Sequence, residues 1–78
     1  AGVHKLTEAL AVELMGTSVT VNAILPSIID TPTNRNDMPD ADPKGWVTPQ
    51  GIADVMLFLA SPASGAVTGA LIPATRNC

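Results

Sequence analysis

The feature that most constrains the fold is a short apolar segment, residues 18–25, with the sequence SVTVNAIL. Its β-branched residues favour a β-strand, and alternation along a strand places apolar side chains on both of its faces. Strands that are apolar on both faces are typical of parallel sheets covered by helices. Pro26 follows directly and is expected to end the strand. We therefore expect an α/β fold in which this strand is one of several.

The first helix is predicted in residues 1–16, where apolar side chains recur at helical spacing. Gly16 is the residue type that most often ends a helix. The expected core-facing stripe consists of Val3, Leu6, Leu10 and Leu14. Ala11 is expected to lie away from that stripe.

A second helix is predicted in residues 48–61 and a second strand in residues 67–74. Thr48 suits the N-cap and Pro49 the first helical position, and this helix is apolar around most of its circumference, so we expect it to be deeply buried. The intervening residues 26–47 contain four of the seven prolines and show no period, which predicts a long loop. Loops of that length are commonly lids or binding segments. The predicted order is helix, strand, long loop, helix, strand.

Composition argues against several classes of protein. Four Lys and Arg residues stand against seven Asp and Glu, a net charge of −3, so the basic patch that nucleic acid or an acidic membrane requires is missing. A single cysteine forms no internal disulfide, and no Cys/His cluster is present to hold zinc. No apolar run approaches the roughly 20 residues that span a bilayer. We expect a cytoplasmic protein without a metal, nucleic-acid or membrane partner.

The chain is also short for its apolar content. It has 78 residues, 46% of them hydrophobic, but its only aromatic side chains are Trp46 and Phe58. Small domains without disulfides are marginally stable because they bury little of their surface. We therefore expect its apolar faces to pack on something absent from this sequence. The missing initiating Met fits a chain that has been processed or that begins inside a longer gene product.

Four segments carry recognisable patterns in a fixed order. Residues 1–14 match A-x-V-x-x-L-T-x-x-L-A-x-E-L, and residues 21–31 match V-N-x-[IV]-x-P-G-x-[IV]-x-T except for one position. Residues 49–61 match P-x-x-I-A-x-x-x-x-F-L-A-S, and residues 67–72 match V-T-G-x-x-[IL]. Together these segments resemble the C-terminal part of a short-chain dehydrogenase/reductase. The resemblance covers nearly the whole chain and implies the C-terminal portion of a Rossmann-type, doubly wound parallel sheet.

The resemblance implies an oxidoreductase that uses NAD or NADP and acts on a small carbonyl or alcohol substrate. The residues that it brings to the nicotinamide are Pro26, Ser27, Ile28, Ile29 and Thr31. The Ile29 backbone would pair with the carboxamide, and the Thr31 hydroxyl with the carboxamide or a phosphate. Family members usually have glycine at the position of Ser27, where a side chain is expected to crowd the cofactor or to change the loop geometry.

By the same resemblance, residues 32–47 form a mobile substrate lid, and their pattern is similar to that of dihydropteridine-reductase-like members. The lid residues singled out are Asn34, Arg35, Met38 and Trp46. Arg35 is expected either to reach an anionic substrate group or to remain a solvated cation.

The family's proton-transfer pair, Tyr-x-x-x-Lys, is absent, since the chain has no tyrosine. Its glycine-rich turn, T-G-x-x-x-G-x-G, is absent too. No catalytic residue is therefore assigned, and we expect the chain alone to be inactive and to bind the cofactor weakly. Its expected partner is a missing N-terminal portion of the fold or another copy of the chain. The alternative is a non-catalytic binding or oligomerisation module.

Three weaker patterns suggest other chemistry. His4, Ser27 and Asp30 are the residue types of a hydrolase triad, but no G-x-S-x-G elbow frames the serine. Residues 40–45 resemble the start of a calcium-binding loop, but the required glutamate is replaced by Gly51. The remaining candidate, Cys78, is expected to be an exposed thiol.

Overall fold

The computed structural model describes residues 2–77 of the chain. The helices are α1 (Gly2–Glu13), α2 (Pro32–Asp37) and α3 (Pro49–Ala60), and the strands are β1 (Ala23–Pro26) and β2 (Leu71–Ala74). Two short 3-10 turns, Pro43–Gly45 and Pro62–Ser64, precede and follow α3. The Cα radius of gyration is 14.9 Å, whereas a compact domain of this length has about 11–12 Å. The described chain is therefore more extended than a compact domain of its length.

The two strands form a parallel sheet, as predicted. The register pairs Ala23 with Leu71 and continues to Pro26 opposite Ala74. Within the described residues β1 has only this one neighbour. Parallel sheets are stable when helices and further strands cover them. One edge of β1 is consequently left without a partner strand.

Both strands are shorter than the predicted residues 18–25 and 67–74. Before each strand begins, side-chain hydrogen bonds take the place of backbone hydrogen bonds between the two segments. The Asn22 side chain accepts from the Ala70 N–H at 3.0 Å and donates to the Val67 carbonyl at 3.2 Å. Gly69 then leaves the extended conformation with φ +71°. A chain that turns there cannot continue a regular strand.

The first helix lies in the predicted place, but the predicted buried stripe is wrong. Its buried residues are Thr7 and Ala11, whereas Val3 and Leu6 are 65% and 58% exposed. The reason is a close approach of α1 to the turn before β2: a Cβ added at Gly69 would lie 3.3 Å from the Ala11 Cβ. The small residues therefore face the sheet, whereas Val3 and Leu6 face outward and Leu10 and Leu14 are half-buried.

Residues 26–47, predicted to be one irregular loop, contain α2 and a 3-10 turn. Thr31 caps α2, its Oγ1 accepting from the Asn34 N–H at 3.1 Å, and Pro32 occupies the first helical position. The end of this segment is the most buried part of the chain, with Trp46 and Val47 only 7% and 2% exposed. Part of the small core therefore lies at the base of the predicted lid.

The third helix begins at the predicted cap: the Thr48 Oγ1 accepts from the Gly51 N–H at 3.0 Å. Deep burial of this helix is wrong for the described chain, because only Ile52 is buried and Leu57 is 71% exposed. A groove of about 500 Å³ separates α3 from the strand segment. It is lined by Thr20, Asn22, Ile24, Met56, Leu59 and Ala60. No helix in residues 2–77 has the length and apolar character needed to cross a membrane.

Candidate functional site

The candidate site begins where β1 ends, in residues 26–31. In open α/β sheets ligands bind beyond the carboxyl ends of the strands. Ser27 is exposed there, and its hydroxyl donates to the Thr75 carbonyl at 3.3 Å. No described residue other than glycine has a positive φ, so a side chain at position 27 is accommodated without backbone strain.

Ile29 forms a single parallel bridge with Val47. In this bridge the hydrogen bonds to Val47 come from the two neighbours of Ile29 and not from Ile29 itself. The Val47 N–H donates to the Ile28 carbonyl at 3.1 Å, and the Asp30 N–H donates to the Val47 carbonyl at 2.8 Å. The N–H and C=O of Ile29 consequently point away from Val47. The carbonyl accepts from the Asn34 Nδ2 at 2.8 Å, while the N–H has no hydrogen-bond partner within residues 2–77. Ile29, which is half-buried and held by the bridge, thus presents an unused backbone donor.

Thr31 presents a second unused donor beside it. Its Oγ1 accepts the capping hydrogen bond from Asn34, and the described hydrogen bonds use it only as an acceptor. A hydroxyl can donate and accept at once. The Thr31 proton is therefore available to an oxygen outside the described chain.

Arg35 and Asp30 form a two-pronged ion pair. The Arg35 Nε donates to Asp30 Oδ1 at 2.6 Å and Nη2 donates to Oδ2 at 2.9 Å. The hydrogen bonds from Arg35 hold the pKa of Asp30 below its usual value, and those to Asp30 raise the pKa of Arg35. The pair uses two of the five guanidinium donors, and the Arg35 side chain is 57% exposed. Arg35 is thus held in place by Asp30 rather than solvated alone.

Three of the four predicted lid residues come together around a pocket of about 170 Å³. Its lining residues are Arg35, Met38, Pro39, Ala41, Pro43 and Trp46. The fourth, Asn34, instead connects α2 to residues 27–31, the β1 loop, because its Nδ2 donates to the Ile29 carbonyl. Ligand pockets commonly have about 300–1,000 Å³, so this pocket by itself is too small to enclose a substrate.

Comparison with known proteins places this geometry in a family. A family model described as "Enoyl-(Acyl carrier protein) reductase" matches residues 1–75. A solved structure of a short chain dehydrogenase/reductase family protein superposes with a TM-score of 0.84 at 32% identity, covering 97% of this chain and 34% of that chain. The chain belongs to the short-chain dehydrogenase/reductase family. The resemblance inferred from the four sequence patterns is confirmed.

Curated relatives within this family carry out different reactions. Galactitol 2-dehydrogenase of Rhizobium johnstonii is 38% identical over an alignment of 82 positions that covers 92% of this chain and 32% of that protein. The 3-oxoacyl-[acyl-carrier-protein] reductase FabG of Pseudomonas aeruginosa is 39% identical over an alignment of 82 positions that covers 94% of this chain and 33% of that protein. The chain spans about a third of the length of the relatives that it matches.

A solved short-chain dehydrogenase/reductase with a bound cofactor gives the same fold. The 3-oxoacyl-[acyl-carrier protein] reductase of Brucella melitensis, with bound NAD, has a TM-score of 0.76 and 33% identity, covering 95% of this chain and 29% of that chain. The predicted fold class is confirmed: β1 and β2 belong to the C-terminal portion of a Rossmann-type parallel sheet.

The competing constellations gain no support from the geometry. Among the described residues Asp30 bonds Arg35 and Ser27 bonds Thr75, so neither orients His4 as a hydrolase triad requires. No group of three His, Cys, Asp or Glu side chains converges on a metal-sized site in residues 2–77. Cys78 lies outside the described residues.

The sequence patterns do not single out Asn77, whose Nδ2 donates to the Trp46 carbonyl at 2.7 Å. Residues 31 positions apart along the chain meet in this contact. No local spacing signals it.

Proposed function

We propose that the chain is the C-terminal segment of an NAD- or NADP-dependent oxidoreductase, in which it supplies the nicotinamide side of the cofactor site and a substrate lid. The observation that carries the proposal is the unused Ile29 N–H, held in a fixed bridge beyond the carboxyl end of β1. A planar carboxamide needs one such backbone donor for its oxygen.

The described residues fit the nicotinamide end of that cofactor. The Ile29 N–H would donate to the carboxamide oxygen, and the Thr31 hydroxyl to the carboxamide or a phosphate oxygen. Pro26, Ser27 and Ile28 would lie along the ring. When bound, the cofactor supplies or accepts a hydride. The Ser27 hydroxyl is turned to Thr75, which supports accommodation of this side chain in place of glycine.

We propose that residues 32–47 cover a small alcohol or carbonyl substrate. The support is the convergence of Arg35, Met38 and Trp46 around one pocket and the tie of α2 to the β1 loop through Asn34. Movement of α2 would therefore shift the Ile29 backbone through the Asn34 hydrogen bond.

On its own the chain is proposed to be inactive. It contains no tyrosine, so the proton-transfer residue of the family's Tyr-x-x-x-Lys pair has to come from elsewhere. The unpaired edge of β1 and the groove beside α3 are proposed to pack against the N-terminal portion of the fold. We propose a cytoplasmic location for the whole protein, because the single cysteine of this chain forms no disulfide within it.

A chimera tests this function. The chain replaces the matching C-terminal third of the Pseudomonas aeruginosa reductase named above, and oxidation of NADH and NADPH is followed with that reductase's own substrate. Activity in the chimera but not in the 78-residue chain supports the proposal. A folded chimera that binds neither dinucleotide contradicts it, and so does turnover by the purified chain alone.

A non-catalytic binding or oligomerisation module is the second candidate. The observation that favours it is the exposure of Leu57 and Phe58 on α3, 71% and 47%. In this case the chain associates through α3 and the chimera gains no activity. Turnover of the chimera separates the two candidates.

A further inference from the structure

Residues 75–77, the C-terminal tail, contact both ends of the segment 26–47. At the first end, the Ser27 hydroxyl donates to the Thr75 carbonyl at 3.3 Å. At the second, the Asn77 Nδ2 donates to the Trp46 carbonyl at 2.7 Å. The second contact is the shorter of the two and joins the most buried part of the chain.

The peptide unit between Trp46 and Val47 is held from both sides. Its carbonyl accepts from Asn77, and its N–H donates to the Ile28 carbonyl at 3.1 Å. These two groups belong to one rigid plane, so fixing the carbonyl also fixes the direction of the N–H. Val47 itself is 2% exposed, which leaves the peptide little room to turn.

The Trp46–Val47 peptide supplies one of the two hydrogen bonds that position Ile29, and the next peptide unit supplies the other. The Val47 carbonyl accepts from the Asp30 N–H at 2.8 Å, so Val47 bonds the residues on both sides of Ile29. Rotation of the Trp46–Val47 peptide would break the Ile28 bond and free one side of the bridge. The direction of the unused Ile29 N–H therefore depends on a side chain in the C-terminal tail.

We propose that Asn77 is a positioning residue: it clamps the Trp46–Val47 peptide and thereby aims the Ile29 N–H at the cofactor carboxamide. The clamp stands on the contacts alone, and its effect on the cofactor rests on the function proposed above. Asn77 touches neither substrate nor cofactor in this role and acts through Val47.

Amide hydrogen exchange in the 78-residue chain without dinucleotide tests the clamp. N77D keeps the side-chain shape but removes the NH₂ donor, N77Q keeps the donor, and R76A is the matched neighbour control. In N77D the amide of Val47 should exchange about fivefold faster, the factor that corresponds to one ordinary hydrogen bond. The α3 amides should be unchanged, R76A should exchange like the wild type, and N77Q should recover part of the protection.

The emission of Trp46 gives a second readout, since it is the only tryptophan and the chain has no tyrosine. We expect a red shift and stronger acrylamide quenching in N77D only. Unchanged exchange at Val47 overturns the clamp, and so does an equal loss of protection in α3, because the effect would then be global.

The effect on the cofactor is measured separately, in the active chimera. There N77D should raise the KM for the dinucleotide about fivefold with kcat nearly unchanged. A faster exchange with an unchanged KM overturns the positioning role. A chimera whose wild-type form binds no dinucleotide contradicts the proposed function instead, and the exchange result alone then decides whether the clamp exists.

Discussion

Ile29 and Val47 face each other in a parallel bridge of a single residue pair, and this bridge closes the base of the segment that carries α2. Both hydrogen bonds of the bridge belong to Val47. The backbone groups of Ile29 are therefore free to serve other partners, and one of them, the N–H, has none within residues 2–77. Substitutions can therefore test the unpaired N–H of Ile29 separately from the hydrogen bonds of Val47 that hold the bridge in place.

Removing the Ile29 N–H should weaken cofactor binding without unfolding the chain. Ile29→Pro deletes the donor, and no described hydrogen bond is lost with it. Proline is tolerated in a strand where the N–H is unpaired, so we expect the fold to be kept. Affinity for NADH in the chimera should fall about fivefold, the worth of one hydrogen bond. Ile29→Val keeps the N–H and is the control. Equal affinities of the two variants, measured by fluorescence titration, would show that this N–H does not contact the cofactor.

Thr31 should have two separable roles. As the N-cap of α2 its Oγ1 accepts a hydrogen bond, so Thr31→Ala should cost about 1 kcal/mol of stability. Thr31→Asp restores an acceptor but has no proton to donate, so it should keep the stability and still lose affinity for the dinucleotide. Thermal unfolding followed by circular dichroism gives the first quantity and NADH titration the second. If Thr31→Asp binds NADH as well as the wild type, the hydroxyl does not serve the cofactor.

The Asp30–Arg35 pair should make the stability depend on pH in the acid range. Arg35 lowers the pKa of Asp30 below its ordinary value of 3.8, so the ionised form is favoured in the folded chain. The stabilisation is therefore complete above that value and is lost as the pH falls through the lower pKa of the folded state. Because the pair is exposed, 1 M salt should weaken it.

The measurement compares Asp30→Asn with the wild type by thermal unfolding at pH 6 and at pH 2.5. The wild type should be the more stable at pH 6, and the difference should be smaller at pH 2.5. Asp37→Asn is the control, since Asp37 forms no salt bridge among residues 2–77. A difference between Asp30→Asn and the wild type that stays constant with pH would mean that the ion pair contributes nothing.

Gly69 should not tolerate a side chain. Its φ of +71° is unfavourable for other residues, and an added Cβ would lie 3.3 Å from the Ala11 Cβ. Gly69→Ala should therefore lower the free energy of unfolding by about 1–2 kcal/mol. Gly45→Ala, where an added Cβ meets nothing within 4 Å, should be close to neutral. Denaturant titration of both variants checks the contrast, and equal stabilities would contradict the close packing of α1 on this turn.

Local signals predict much of this fold because they depend on neighbouring residues only. Thr48 followed by Pro49 marks the start of α3, and the structure confirms the cap. Thr31 followed by Pro32 carries the same signal and begins α2, although the proline content of the segment pointed to an irregular loop. The order of the other helices and strands, α2 apart, and the parallel pairing of the strands were also predictable from the sequence.

Contacts between distant residues were not predictable. Helical periodicity shows that α1 has an apolar stripe, but it does not tell which partner the stripe meets. Inside this chain Ala11 packs near Gly69, so the stripe with Val3 and Leu6 faces outward. The contact of Asn77 with Trp46 spans 31 positions, and only the folded chain brings the two together.

The outward apolar surface gives the last prediction. Leu57 is 71% exposed and lies beside the exposed Met56 and Phe58. Contact of these apolar side chains with water is unfavourable, and we propose that the rest of the protein covers them. At high concentration the isolated chain should therefore associate. Leu57→Lys should weaken the association at least tenfold, because burying one leucine side chain contributes about 1.5–3 kcal/mol. Thr33→Lys, an exposed position on α2, adds the same charge and should leave the association unchanged. Sedimentation velocity over a concentration series measures both variants. A chain that stays monomeric at every concentration would show that this surface needs no cover.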